Sequence, residues 1–330
     1  MCHGALKSRV KCVEDIALCG ALASLLEVAG WPKPGNVHRT SNLEPKFERF
    51  LCGALLLYDP LLQAAKAGYE AGVNGRVGGW GLGRLLTEVY SSGLAWHREG
   101  NTNLGTAMLL LPLSAGAGLL LGSMGSVNLR RLQEATTTML QATTVEDTIE
   151  FYKLLRKIGK RWLGRVSGVG APDVFEAKVY AKIRRLNCTF LDVMRASSEW
   201  DAVAYELANS MPVTFELAYP TLLRYYRESG NINVATVNTF LTILAQKTDT
   251  FIIRKLKAAG AEDAEEKAKK ISEMAKSALS LGGAATKEGR EALFKMDEEL
   301  KRGEGLLNPG STADIVAAGL MLLLLAGAKI

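Results

Sequence analysis

Apolar positions recur at three- and four-residue intervals along almost the whole chain, while alternating β-branched runs bounded by tight turns are scarce. This pattern predicts an all-α protein. From Val13 to Ala29, the residues Ile16, Cys19, Leu22, Ala23 and Leu26 share one stripe of a helix. Phe47 to Tyr69 predicts a second helix, or a pair interrupted near Pro60. Thr144-Val145-Glu146-Asp147 carries a capping-box pattern and opens a helix that runs to Ile158. Ala177 to Asn209 predicts one long helical stretch or two, and Pro212 and Pro220 punctuate the region after it. Asn231 to Lys257 predicts two helices with a polar joint at Gln246-Lys247-Thr248-Asp249. Acid and base alternate from Glu262 to Lys276, as on an exposed helix laced with i,i+4 pairs. The glycines from Gly72 to Gly83 predict an irregular connection, since each costs about 1 kcal/mol in a helix interior. They do not form a G-x-G-x-x-G turn after a strand, so no dinucleotide fold is read into them. With no internal repeat and no low-complexity linker, residues 1–330 read as a single compact domain.

Two segments are apolar on every side. Leu104 to Gly122 is uncharged and long enough to span a bilayer. It also contains Pro112, Gly116 and Gly118 and lacks flanking aromatic belts, so a buried central helix is expected and no membrane partner. The shorter run from Ile315 to Ala328 reads the same way.

Composition adds constraints on partners. A hydrophobic fraction of 48% against 22% charged residues is enough for a substantial core without staples. A net charge of +6 and a pI near 9.0 favour anionic ligands. Five cysteines with no C-x-x-C pair read as reduced thiols of a cytoplasmic protein, three of them buried in helices. Charged residues from Lys7 to Asp15 leave no apolar run behind a basic start, so no signal peptide is expected. Lys153, Arg156, Lys157 and Lys160 fall on one helix face with Arg161 beside them. Such a stripe suits polyphosphate or RNA, but without interleaved aromatics a solvated face is expected and no nucleic-acid partner. His3 and His97 are isolated and read as no ligand.

The densest chemistry lies at Pro32-Lys33-Pro34-Gly35-Asn36-Val37-His38-Arg39. The two prolines fix φ and disfavour helix before them, and Gly35 permits a positive φ or close approach of backbone. A stiff turn that presents Lys33, Asn36, His38 and Arg39 suits a phosphate-rich ligand, and it equally describes an interhelical turn with solvated charges. With Glu27-Val28 ahead of it, this stretch resembles the opening signature of the triphosphoribosyl-dephospho-CoA synthase family, roughly E-V-x-x-x-P-K-P-G-L-V-D-R.

Three later stretches resemble the same family in order, so the likeness runs from about Glu27 to Ala318. Gly100-Asn101-Thr102-Asn103-Leu104-Gly105 stands where members often read G-V-N-T-H-K-G. Asn101 or Thr102 would cap the helix and leave its amides to an anion. Asn103 and Leu104 depart from the histidine and basic residue often found there. Asp249-Thr250 with Arg254 and Lys255 resembles D-D-T-N-x-x-x-R, with Thr248 in place of the first acid. Asp249 reads either as a Mg²⁺ ligand or as the cap of the helix running to Leu256. Asn308-Pro309-Gly310-Ser311-Thr312-Ala313-Asp314 resembles S-P-G-G-S-A-D-L-L-A. Here Ser311 is the expected cap, and Asp314 either closes a capping box on it or pairs with Mg²⁺ or Lys33. Trp200-Asp201 with Glu206 is a weaker acidic candidate.

The resemblance implies an enzyme that takes ATP and dephospho-CoA, displaces adenine and transfers the triphosphoribosyl group. The roles it implies place Lys33, Gly35, Asn36, Arg39, Asn101, Thr102, Arg254 and Ser311 on the nucleotide and its phosphates. Asp249 and Asp314 would hold Mg²⁺, and His38 or one of those two carboxylates would move protons. A homo-oligomer is compatible with these roles. The same fold acting on another nucleotide, or a non-catalytic RNA-binding helical protein, are the alternatives.

Overall fold

The computed structural model describes residues 8–41, 46–96, 103–159 and 170–330, and among them it contains helices and no strand. The first half of the chain forms α1 (Val13–Ala29), α2 (Phe47–Leu56), α3 (Tyr58–Asn74), α4 (Leu82–Trp96), α5 (Leu104–Met124), α6 (Leu129–Gln141) and α7 (Val145–Ile158). Then come α8 (Val179–Arg185), α9 (Phe190–Ser197), α10 (Ala202–Ala208), a π-helical turn (Val213–Ala218) and α11 (Tyr219–Ser229). The last elements are α12 (Ile232–Gln246), α13 (Thr250–Ala258), α14 (Ala264–Ser280), α15 (Lys287–Lys301) and α16 (Gly310–Leu325).

Helix α5 is the centre, with α3, α6 and α16 packed around it. Having no charged residue, it can be buried on all sides, and 83% of its apolar window is covered by other helices. By length and composition it could cross a bilayer, but that covering is what a core helix has. Helix α16 is the second such element: from Ser311 to Leu325 every residue except Asp314 is buried. Asp314 is the only charged residue in that helix, which makes its surroundings decisive.

The crossing of α3 over α5 is set by glycine. A Cβ on Gly68 or Gly72 would fall 1.9 or 2.4 Å from the carbonyl oxygens of Ala115 and Leu119 on α5. From the other side, a Cβ on Gly118 or Gly122 would fall 2.0 or 2.2 Å from those of Ala65 and Tyr69. Backbone meets backbone here, so nothing larger than hydrogen fits. Gly118→Val is therefore expected to lower stability by about 3 kcal/mol, the upper end for overpacking, as read from the urea midpoint.

The structure refines several expectations. Val13–Ala29, the Thr144-capped helix and the joint at Gln246 to Asp249 fall where the periodicity puts them. Pro60 does not break the second pair, because it occupies the first turn of α3 and the interruption is at Leu57. Gly72 belongs to α3 and Gly83 to α4, so the irregular stretch shrinks to residues 75–81. Residues 177–209 form three short helices, because Thr189 and Asp201 each cap a new start. The basic face on α7 is partly dissolved. Arg156 donates to the carbonyls of Val174 and Glu176, and Lys153 pairs with Glu150. Lys160, Arg161, His3 and His97 lie outside the described residues. Of the cysteines, Cys188 is buried but sits between helices, while Cys19 and Cys52 are half-buried on α1 and α2.

Candidate functional site

The turn after α1 is held inside the protein. Its Trp31–Pro32 peptide is cis, and Trp31 exchanges hydrogen bonds with the Asn233 side chain on α12. Lys33 is fully buried. Its Nζ donates to the Glu27 carbonyl at 2.8 Å and forms an ion pair with the Glu27 carboxylate. Burial pushes the Lys33 ammonium down and the Glu27 carboxyl up, and each charge opposes the shift of the other. Lys33 is thus committed within the fold and does not stand in the loop as an exposed phosphate cation.

The rest of the turn is tied to α15 and to the start of α16. Gly35, at φ +69°, donates its N–H to Asp297 Oδ1 at 2.9 Å. Asn36 Nδ2 donates to the Pro309 carbonyl at 3.1 Å, and Asn36 Oδ1 accepts from Val37 N–H at 2.7 Å. His38 is buried with both ring nitrogens engaged. Thr40 N–H donates to Nδ1 (3.3 Å), so Nε2 carries the hydrogen and donates to Asp297 Oδ2 (3.3 Å). Burial pushes Asp297 up, but hydrogen bonds from His38, Lys301 and Gly35 outweigh it and hold the carboxyl below its usual range. Both ring nitrogens of His38 are thus engaged within the fold. Arg39 is exposed.

Asp249 joins two helices. Its Oδ1 accepts from the N–H groups of Phe251 (2.9 Å) and Ile252 (3.1 Å), which caps α13. Its Oδ2 accepts from Thr312 N–H and Thr312 Oγ1, both at 2.8 Å, which caps α16 from a distance in sequence. Burial pushes this carboxyl up, against the pull of the Thr312 and Ile252 donors. Four donors match the acceptor capacity of a carboxylate, so no lone pair remains for a cation. Ser311 does not cap α16. The helix begins at Gly310, and Ser311 Oγ lies 3.4 Å from Thr250 Oγ1.

Asp314 consequently sits too far into α16 to close a capping box, and its partners come from α5. Thr106 Oγ1 donates to Asp314 Oδ1 at 2.6 Å. The backbone of Gly105 lies against the other oxygen, so close that a Cβ there would be 2.1 Å from Oδ2. The residue as a whole is half-buried, while its carboxyl is enclosed by protein. Burial first, then the like charges of Glu27, Asp249 and Asp201, push it up to about 8 despite the Thr106 bond. The ion-pair partner of Lys33 is Glu27, and the hydrogen-bond partner of Asp314 is Thr106.

Two cations stand on α13. Arg254 Nη1 binds Asp201 Oδ2 at 2.5 Å, and its guanidinium lies 5.2 Å from the Phe251 ring. Lys255 Nζ donates to the carbonyls of Gly305 and Asn308 and stands 4.3 Å from the same ring, and burial pushes it down to about 7. The turn at 32–38, the start of α5, the start of α13 and the start of α16 therefore meet in one place. Asn101 and Thr102 lie outside the described residues. Two surface grooves, one of about 530 Å³ lined by Tyr225 and Asn238 and one over α15, share no residue with this cluster.

Sequence reasoning gave no role to Glu27, Thr106 or Asp297. Glu27 stood in the opening motif as a marker only, and a buried acid so close to Lys33 was its signal. Asp297 had none, being one of several acids on the charge-rich α15. Asp201, a weaker candidate by sequence, anchors Arg254.

Residues 13–329 match the family model described as ATP:dephospho-CoA triphosphoribosyl transferase (CitG). The chain is 31% identical over 100 residues to 2-(5''-triphosphoribosyl)-3'-dephosphocoenzyme-A synthase of Klebsiella pneumoniae, a match spanning 30% of each protein. Its fold is similar to a crystal structure from Archaeoglobus fulgidus that is named as a triphosphoribosyl-dephospho-CoA synthase. That likeness has a TM-score of 0.57 and covers 86% of this chain and 100% of the other, at 21% identity.

Proposed function

The chain belongs to the ATP:dephospho-CoA triphosphoribosyl transferase family, and on that premise we propose that it moves the triphosphoribosyl group of ATP onto dephospho-CoA in the cytoplasm. In this reaction the bond from C1′ of ATP to adenine breaks, and a bond from C1′ to an acceptor hydroxyl oxygen forms. Adenine leaves with the bonding electrons and needs a proton, while the acceptor hydroxyl loses one, so protons balance over the turnover.

The observation that carries this reading is Asp314, a carboxyl bonded by Thr106 where the starts of α5 and α16 meet and pushed up to about 8 by burial among packed helices. It is the acid that protonates departing adenine. Glu27, Asp249 and Asp201 add negative potential at Asp314, which favours positive charge developing near it. Thr106 orients Asp314, and Asp249 fixes the two helix starts on either side of it. Lys33, Gly35, Asn36 and His38 hold the turn against α15 and α16, while Arg39, Arg254 and Ser311 remain the members of the set assigned to the nucleotide. Of the two carboxylates assigned to Mg²⁺, Asp249 has four donors on its oxygens, so Asp314 Oδ2 and the triphosphate of ATP would be the groups to hold the ion.

The test is incubation of the full chain with ATP, Mg²⁺ and dephospho-CoA, following free adenine by chromatography and product mass. Adenine and a triphosphoribosyl adduct are expected in equal amounts. Release of ADP or phosphate in place of adenine would defeat the proposal.

A further inference from the structure

One buried donor near the start of α5 has no partner among the described residues. Asn103, the N-cap residue of α5, is only 5% exposed. Its side chain does not cap the helix, and its Nδ2 has no hydrogen-bond partner among the described residues. A buried amide left without an acceptor is costly, so its persistence points to a missing partner. The ladder of α5 begins with Ala107 N–H to the Asn103 carbonyl at 2.8 Å. The amides of Gly105 and Thr106 precede that bond and belong to the open helix end. Arg254 supplies a second buried donor, since its Nε also lacks a partner while Asp201 fixes the guanidinium. Asn103 stands at the positive end of a 21-residue helix with no acidic residue in its first turn.

We propose that Asn103 Nδ2, with Arg254 Nε and the amides of Gly105 and Thr106, binds the phosphate chain of the nucleotide. The proposal rests on the triphosphoribosyl-transfer reading, and it adds a binding residue that reading leaves without a role. The chemistry of ribose explains the adjacency. C1′ and the 5′-phosphate hang from the same small ring, so an acid at the glycosidic nitrogen and donors at the first phosphate must be neighbours. Asn103 and Asp314 meet that requirement, because Gly105 lies against the Asp314 carboxyl. While that carboxyl is protonated it does not repel the anion.

Asn103→Asp separates a ligand role from a structural one. Aspartate caps a helix at least as well as asparagine and suits the dipole, but it replaces the donor with a negative charge. Calorimetric titration of the full chain with inorganic tripolyphosphate, and separately with adenosine, reads the effect. Tripolyphosphate affinity is expected to fall at least tenfold in Asn103→Asp with adenosine affinity unchanged. KM for ATP should rise and the thermal midpoint should hold or increase. Unchanged tripolyphosphate affinity in the variant, or no tripolyphosphate binding by the wild type, overturns the phosphate site. Loss of adenosine affinity alone assigns Asn103 to the base and overturns it as well. Failure of the transferase reading is a separate result, namely wild-type protein that releases no adenine.

Discussion

Replacing Asp314 with asparagine is expected to slow adenine release by about 10²- to 10⁴-fold, the range for loss of a general acid. The amide keeps the shape and can still accept from Thr106, but it has no proton to give at neutral pH. The variant should nevertheless fold well, and the sign of the pKa shift says why. An ordinary aspartate has a value of 3.8, whereas this one is raised to about 8. Between those values the folded chain holds a proton that the unfolded chain has released. Asp314 therefore costs stability that grows as pH rises through that window, and asparagine removes the cost. The wild-type kcat/KM should be level below about 8 and fall above it as the acid ionises. Thr106→Val should move that limb to higher pH, because the Thr106 bond favours the carboxylate. A profile with no limb in this region, or a slow variant that has also unfolded, would remove Asp314 from the role of acid.

Much of the helical frame was legible because burial writes itself into the sequence at helical spacing. α1, α7 and the α12–α13 joint follow from apolar stripes and caps alone. The all-apolar helices were readable as core for the same reason. Harder to read is which polar groups close on one another across the chain. Asp249 looks like a local cap, and it is one, but its second oxygen serves Thr312, sixty-three residues away. Asp314 looks like the third residue of a capping box until the helix start at Gly310 puts it deeper. His38 carries the residue type expected of a proton carrier, and its sequence setting gives no sign of its partner Asp297 on α15. Local spacing reports a side chain's own helix; it is silent on the partner that decides whether the group is structural or chemical.

The Asp249 pair of caps makes the second large effect one of stability. Asp249→Ala leaves two buried N–H groups, a part-buried one and a buried hydroxyl without their acceptor, at the starts of both α13 and α16. Each unsatisfied buried donor costs about 1–3 kcal/mol, and partial relaxation toward water recovers some of it, so a loss of about 4 kcal/mol is expected. Urea denaturation should show a lower midpoint with an unchanged slope, since the same surface is exposed on unfolding. Asp249→Asn should fall between the two, because its oxygen can serve one helix while its amide turns donors toward the donors of the other. Activity should fall with either change, as α16 carries Asp314 two residues beyond Thr312. The stability loss should be the same with EDTA as with Mg²⁺, because hydrogen-bond donors, not a cation, occupy the carboxylate. A midpoint difference between Asp249→Asn and wild type that appears only in Mg²⁺ would return Asp249 to the metal role its sequence setting first suggested.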